Sequence, residues 1–193
     1  MSRFVEGNSL WTTSPKCDLV EKITPEPPAS PPASRLKNNV TARNDCFHLA
    51  VPEVAKRETR VLETRYPRDG LPAGSYGYLE LYCADPTCDC RRVLLQVRAE
   101  AQPKTVLATI NYGWESVAFY TQLLPGYPKL VRQLKQASLD PLIPQSRFAP
   151  LFLRLFQTVV LQDRAYIQRL QRHYAMFKQH LAQEPPASSA NDR

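Results

Sequence analysis

Three segments follow one another without a break: Tyr76-Gly-Tyr-Leu-Glu-Leu-Tyr-Cys83, Ala84-Asp-Pro-Thr-Cys-Asp-Cys90 and Arg91-Arg-Val-Leu-Leu-Gln-Val-Arg98. The outer two are rich in the aromatic and branched side chains that suit a pleated, half-buried surface, and the middle one carries Asp85-Pro86, a turn former. This reads as strand, turn, strand. A third apolar run, Lys104-Thr-Val-Leu-Ala-Thr-Ile-Asn-Tyr112, comes after a short connection. Consecutive strands joined by short links predict an antiparallel three-stranded meander.

After Trp114 the apolar period changes to that of a helix. Short amphipathic helices are expected over 114–124 and 128–137, and a longer one from a Ser146 cap to about Leu161. Asp163 is placed to cap the last, in which Ile167, Leu170, Tyr174, Phe177 and Leu181 recur at spacings of three and four. Upstream, Pro52 to Arg65 has room for a short helix and Pro67-Arg-Asp-Gly70 for a turn. The expected fold is α+β: a three-stranded antiparallel meander with a metal-binding knuckle, covered by C-terminal helices.

The chain has 193 residues, of which 6 are Gly and 18 are Pro. Scarce glycine argues against a phosphate-cradling loop, and no G-x-S-x-G or P-loop motif is present. Thr24-Pro-Glu-Pro-Pro-Ala-Ser-Pro-Pro-Ala-Ser34 concentrates five prolines and favours an extended, unpacked chain. The expected organisation is a Pro-rich disordered tail over 1–41, one domain over 42–183 and a second disordered tail over 184–193. The first residues lack the apolar core of a secretory signal. No apolar run approaches the roughly 20 residues of a spanning helix. A cytoplasmic protein without membrane contact is the expectation, its thiols kept reduced.

Cys83, Cys88 and Cys90 form a C-x4-C-x-C between two strands. A loop of this length can aim three thiolates at one centre, and zinc takes such ligands tetrahedrally at about 2.3 Å. A closed structural site needs a fourth ligand. His173, near the apolar stripe of the last helix, is the first candidate; Cys46 and His48 are the alternatives, and Cys17 lies in the tail. An iron–sulfur cluster is a further possibility, although the spacing matches no ferredoxin pattern. Sulfur donation makes tris-thiolate zinc a weak Lewis acid, so the expected role is structural. Catalysis would have to recruit Asp85, Asp89 or Glu80, which read more simply as turn or strand carboxylates.

Formal net charge is +7, from 25 Lys plus Arg against 18 Asp plus Glu. The positive residues are spread out, which admits a nucleic-acid partner but does not require one. Arg91, Arg92 and Arg98 are the expected partner contacts, with one arginine of the adjacent pair instead offsetting the thiolates. Tyr78 joins them because Tyr76, Tyr78 and Tyr82 share a strand face, expected to be the open face and able to stack bases. Arg164, Arg169 and Arg172 lie off the last helix's stripe and are expected to be solvated. The function expected from sequence is a non-catalytic structural-zinc binding or adaptor module with a protein or nucleic-acid partner. The rival is a metal-dependent hydrolase or nuclease using the same site.

Overall fold

The structure is a computed structural model, and it describes residues 2–6, 44–67 and 69–183. The elements run β1 (Ser2–Glu6), β2 (Asn44–Cys46), α1 (Phe47–Ala50), α2 (Pro52–Glu58), β3 (Arg60–Thr64), β4 (Gly74–Cys83), β5 (Arg92–Ala99), β6 (Gln102–Gly113), α3 (Val117–Leu123), α4 (Pro128–Gln136), β7 (Ser138–Leu139), α5 (Ala149–Thr158) and α6 (Arg164–Gln183). It is an α+β fold with one antiparallel sheet and helices toward the C-terminus. The strand order is β1-β3-β4-β5-β6-β7, and β2 also pairs with β4.

The three strands expected from sequence occupy β4, β5 and β6, but among the described residues the sheet has seven strands rather than three. Residues 2–6, expected in the tail, pair with β3 from Ser2↔Thr64 to Glu6↔Arg60. The Pro-rich segment 24–34 and the C-terminal tail lie outside the described residues. The short helix for which Pro52 to Arg65 has room is α2, which stops at Glu58, and residues 60–64 beyond it are strand, an element not expected there. Five residues are too few for alternation to outweigh the helical pattern before them.

β2 and β3 share one edge of β4 and run the same way. Asn44–Cys46 faces Cys83–Leu81, and Arg60–Thr64 faces Tyr78–Gly74. They amount to one edge strand interrupted by the helical excursion 47–58, which stands opposite Leu79 and Glu80.

Tyr76, Tyr78 and Tyr82 are buried, Tyr78 and Tyr82 completely. Tyr76 and Tyr78 pack on Phe152, Tyr78 also on Phe156, and Tyr82 on Tyr174 and Phe177. The tyrosine row is therefore the face covered by α5 and α6, not an open one. Alternation assigns residues to two faces without saying which face the helices choose. Arg169 is another reversal. It is buried, donates to the Glu58 carbonyl and lies over the Tyr166 ring.

The β6 edge is closed by the loop after β7. Gln145 Oε1 accepts from Thr109 N at 3.0 Å, Asp140 N donates to Thr109 O at 2.8 Å, and Ser146 donates to Leu107 O through both N and Oγ. Ser146 Oγ also accepts from Phe148 N, just before α5. Asp163 Oδ1 accepts from Tyr166 N in the first turn of α6, the capping role expected of it.

Gly113 ends β6 because the Tyr120 ring occupies the space where a side chain would start; an added Cβ would sit 2.5 Å from Tyr120 Cζ. The Tyr120 hydroxyl donates to the Arg91 carbonyl, tying α3 to the start of β5. Gly113→Ala should destabilise the fold by about 1–3 kcal/mol through overpacking, read by chemical denaturation. A double-mutant cycle with Tyr120→Leu should recover part of that loss.

Candidate metal centre

The knuckle is shaped by its own turn. Asp85 Oδ1 accepts from Thr87 N at 2.8 Å and Thr87 Oγ1 at 2.7 Å, and Cys88 N donates to Asp85 O. These Thr87 bonds hold the Asp85 carboxyl below its ordinary pKa. Arg91, directly after the last cysteine, has φ +47°. That left-handed conformation costs a non-glycine residue roughly 1–2 kcal/mol, and it reverses the chain into β5.

The turn brings the sulfurs of Cys83, Cys88 and Cys90 within 4.8 Å of one another, an arrangement that can hold a metal ion. All three are free thiols; Cys83 and Cys90 are buried and Cys88 is half-buried. They hydrogen-bond among themselves. The bond to Cys90, with burial, pushes the Cys83 thiol up, while the bond from Cys90 pulls the Cys88 thiol down. Cys83 pulls Cys90 down, but its bond to Cys88 and its burial carry it above its ordinary value. Three soft sulfur donors this close together fit a thiophilic cation.

Helix α6 is fastened over this loop. Lys178 Nζ donates to Cys83 O at 3.1 Å and Asp85 O at 2.6 Å, and Tyr174 OH lies 3.4 Å from Cys88 O. Tyr174 belongs to the apolar stripe of this helix and Lys178 lies beside it. A polar residue beside an apolar stripe looks solvent-directed unless its distant acceptors are known.

His173 does not join the thiols. Its Nδ1 is 2.8 Å from Glu80 Oε2, its Nε2 is 3.2 Å from Glu58 Oε2, and its ring stacks on Phe47 at 4.3 Å. Glu80 Oε2 also accepts from Tyr82 OH at 2.8 Å. Burial and the Glu80 carboxyl raise the Tyr82 pKa well above its ordinary value, keeping it a donor. The excursion 47–58 supplies Glu58 and Phe47, so the broken edge strand makes this polar nest.

His48 is also elsewhere. With Phe47, Ala55, Thr59, Leu79, Glu80 and His173 it lines a cavity with room for about one water, and its Nδ1 is buried without a hydrogen-bond partner among the described residues. Cys46 is disulfide-bonded and packs with Leu81 and Leu94. Among the described residues, no fourth Cys, His, Asp or Glu joins the three-sulfur cluster.

The expected partner contacts divide. Tyr78 and Arg98 are buried; Arg98 donates to Gln96 Oε1 and Pro103 O. Arg91 and Arg92 remain partly exposed beside the knuckle. Arg91 pairs with Asp89 through two bonds near 3.0 Å and reaches Glu115 at 3.3 Å. That pairing depresses the Asp89 pKa. No helix among the described residues is long and apolar enough to cross a membrane. Comparison with protein-family models, with curated proteins and with solved structures gave no match.

Two outcomes follow from the buried nest. His173→Ala leaves Glu80 buried without its imidazole and should cost about 3–5 kcal/mol, measured by denaturant unfolding. Burial, then the Arg98 charge, hold the His48 imidazole below its usual 6.5. The unfolded chain then binds that proton more readily, so this contribution is full above 6.5 and is lost progressively as pH falls below it. Melting temperatures recorded from pH 7 to 5 should decline, with a shallower slope in His48→Gln.

Proposed function

We propose that the chain is a non-catalytic zinc-binding module that presents the knuckle and its flanking arginines to a macromolecular partner. The observation that carries this reading is the convergence of three sulfurs in a loop onto which α6 is fastened by Lys178 and Tyr174. Cys83, Cys88 and Cys90 would hold the ion. Zinc suits them because it prefers thiolate and brings no redox chemistry. Bound there, it would cross-link the end of β4 to the start of β5 and stiffen the platform on which α6 rests. The three knuckle thiols must stay reduced to bind, and they are free while Cys46 is in a disulfide.

The hydrolase or nuclease reading has less behind it. It needs a carboxylate beside the metal to take a proton from water. Asp85 is held by Thr87, Asp89 by Arg91 and Glu80 by His173 and Tyr82. A protein partner is favoured over nucleic acid. Of the four expected contacts only Arg91 and Arg92 reach the surface, and the charge of Arg91 is shared with Asp89 and Glu115.

Removal of zinc by a chelator should lower the melting temperature and loosen the β4–β5 turn. Cys83→Ser should abolish stoichiometric zinc, while His173→Ala retains it at temperatures where that variant is folded. Zinc affinity should fall as pH is lowered, because all three thiols must lose their protons to bind. Elemental analysis with thermal melts checks all three. An unchanged melting curve after chelation, or full zinc in Cys83→Ser, would refute the reading.

A further inference from the structure

We infer that the sheet face turned away from the helices is the docking surface for a segment of this same chain, residues 10–23, held there by a disulfide between Cys17 and Cys46. Pairing across the strands fixes which side chains share that face. Cys46 stands opposite Leu81, Leu81 opposite Leu94, and Leu94 opposite Asn111. The neighbouring row runs from Leu79 through Gln96 to Thr109. On β4 these positions alternate with Tyr78, Glu80 and Tyr82, which meet α5 and α6. Side chains on an uncovered sheet face stand in water, and these do not. Cys46 and Leu81 are each 1% exposed, Leu79 is 2% exposed and Leu94 is 5% exposed. Among the described residues, Cys46, Leu81 and Leu94 form one small apolar cluster and Val61 and Leu79 another, both separate from the large core under the helices. Thr109 Oγ1 and Asn111 Oδ1 are buried as well, with no hydrogen-bond partner among the described residues. A backbone laid across this face would exclude the water and supply the donors.

The cysteines name the occupant. The chain has five, at positions 17, 46, 83, 88 and 90. Cys83, Cys88 and Cys90 are free thiols and Cys46 is disulfide-bonded, which leaves Cys17 to pair with it. A disulfide brings two Cα atoms to about 5.5 Å, so Cys17 sits over the row that Cys46 begins. The residues around Cys17 suit an apolar face: Leu10, Trp11, Leu19, Val20 and Ile23 flank it. The stretch 24–34, by contrast, has five prolines and no large apolar side chain. The chain also reaches. Residues 7–43 connect Glu6, which is joined through Arg60 to Tyr78 on β4, with Asn44, which pairs with Cys83. Those ends are roughly 17 Å apart along β4, far less than a chain of that length can span.

The test uses the full-length chain purified without reductant, its free thiols alkylated before tryptic digestion. The expected product is residues 17–22 joined to residues 44–56, released from a protein of single-chain mass. In the unaltered chain, amides of residues 10–23 should exchange with deuterium slowly. A Trp114→Phe variant leaves Trp11 as the only tryptophan. Its emission should lie at short wavelength and resist quenching by iodide. Leu94→Ala in that background should shift the emission to longer wavelength and raise quenching. Val160→Ala, in the core under the helices, should leave both unchanged. Alkylated Cys17 and Cys46, or a disulfide that joins two chains, would overturn the inference. Exchange over 10–23 at the rate of an unfolded peptide would do the same, as would an emission that answers equally to Leu94→Ala and Val160→Ala.

Discussion

The arrangement turns on a buried carboxyl group. Glu80 lies mid-strand on the face that packs against helices, where an unpartnered acid would cost several kcal/mol. His173 Nδ1 and the Tyr82 hydroxyl meet it at 2.8 Å each. Because His173 belongs to α6, this requirement sets where the helix crosses the sheet. The next residue, Tyr174, and the one five positions on, Lys178, are thereby carried to the carbonyls of the cysteine loop. One polar contact in the core thus fixes the clasp over the candidate metal centre.

The broken edge strand belongs to the same arrangement. Had β2 run straight into β3, Leu79 and Glu80 would face a continuous neighbour, with no room for Glu58 and Phe47 to approach His173. The excursion 47–58 brings a second carboxylate to Nε2 and an aromatic ring to the imidazole face. It also brings the Glu58 carbonyl to Arg169, which accounts for an arginine inside the interface rather than outside it.

What could be read from sequence was what depends on near neighbours. The strands at β4, β5 and β6 announce themselves through β-branched and aromatic runs, Asp163 through its capping position, and the three cysteines through proximity. What could not be read depends on contacts distant in the chain. Alternation puts Tyr78 on one face with Tyr76 and Tyr82, but nothing local says that α5 and α6 cover that face. The residue type and register of His173 allow a metal ligand. Its true partners are 93 and 115 positions away. Arg91 signalled only charge, whereas its positive φ and its carbonyl bond to Tyr120 are what shape the turn.

The loop after β7 carries a different consequence. By donating to and accepting from Thr109 and Leu107, residues 140–146 occupy the hydrogen-bonding groups that a sheet's last strand otherwise displays. Pro141 and Pro144 within that loop have no N–H to offer onward. A second molecule approaching this stretch of the flank finds the groups of Leu107 and Thr109 already used. The side-chain amide of Gln145 therefore stands opposite Thr109 where an added strand would have to pair.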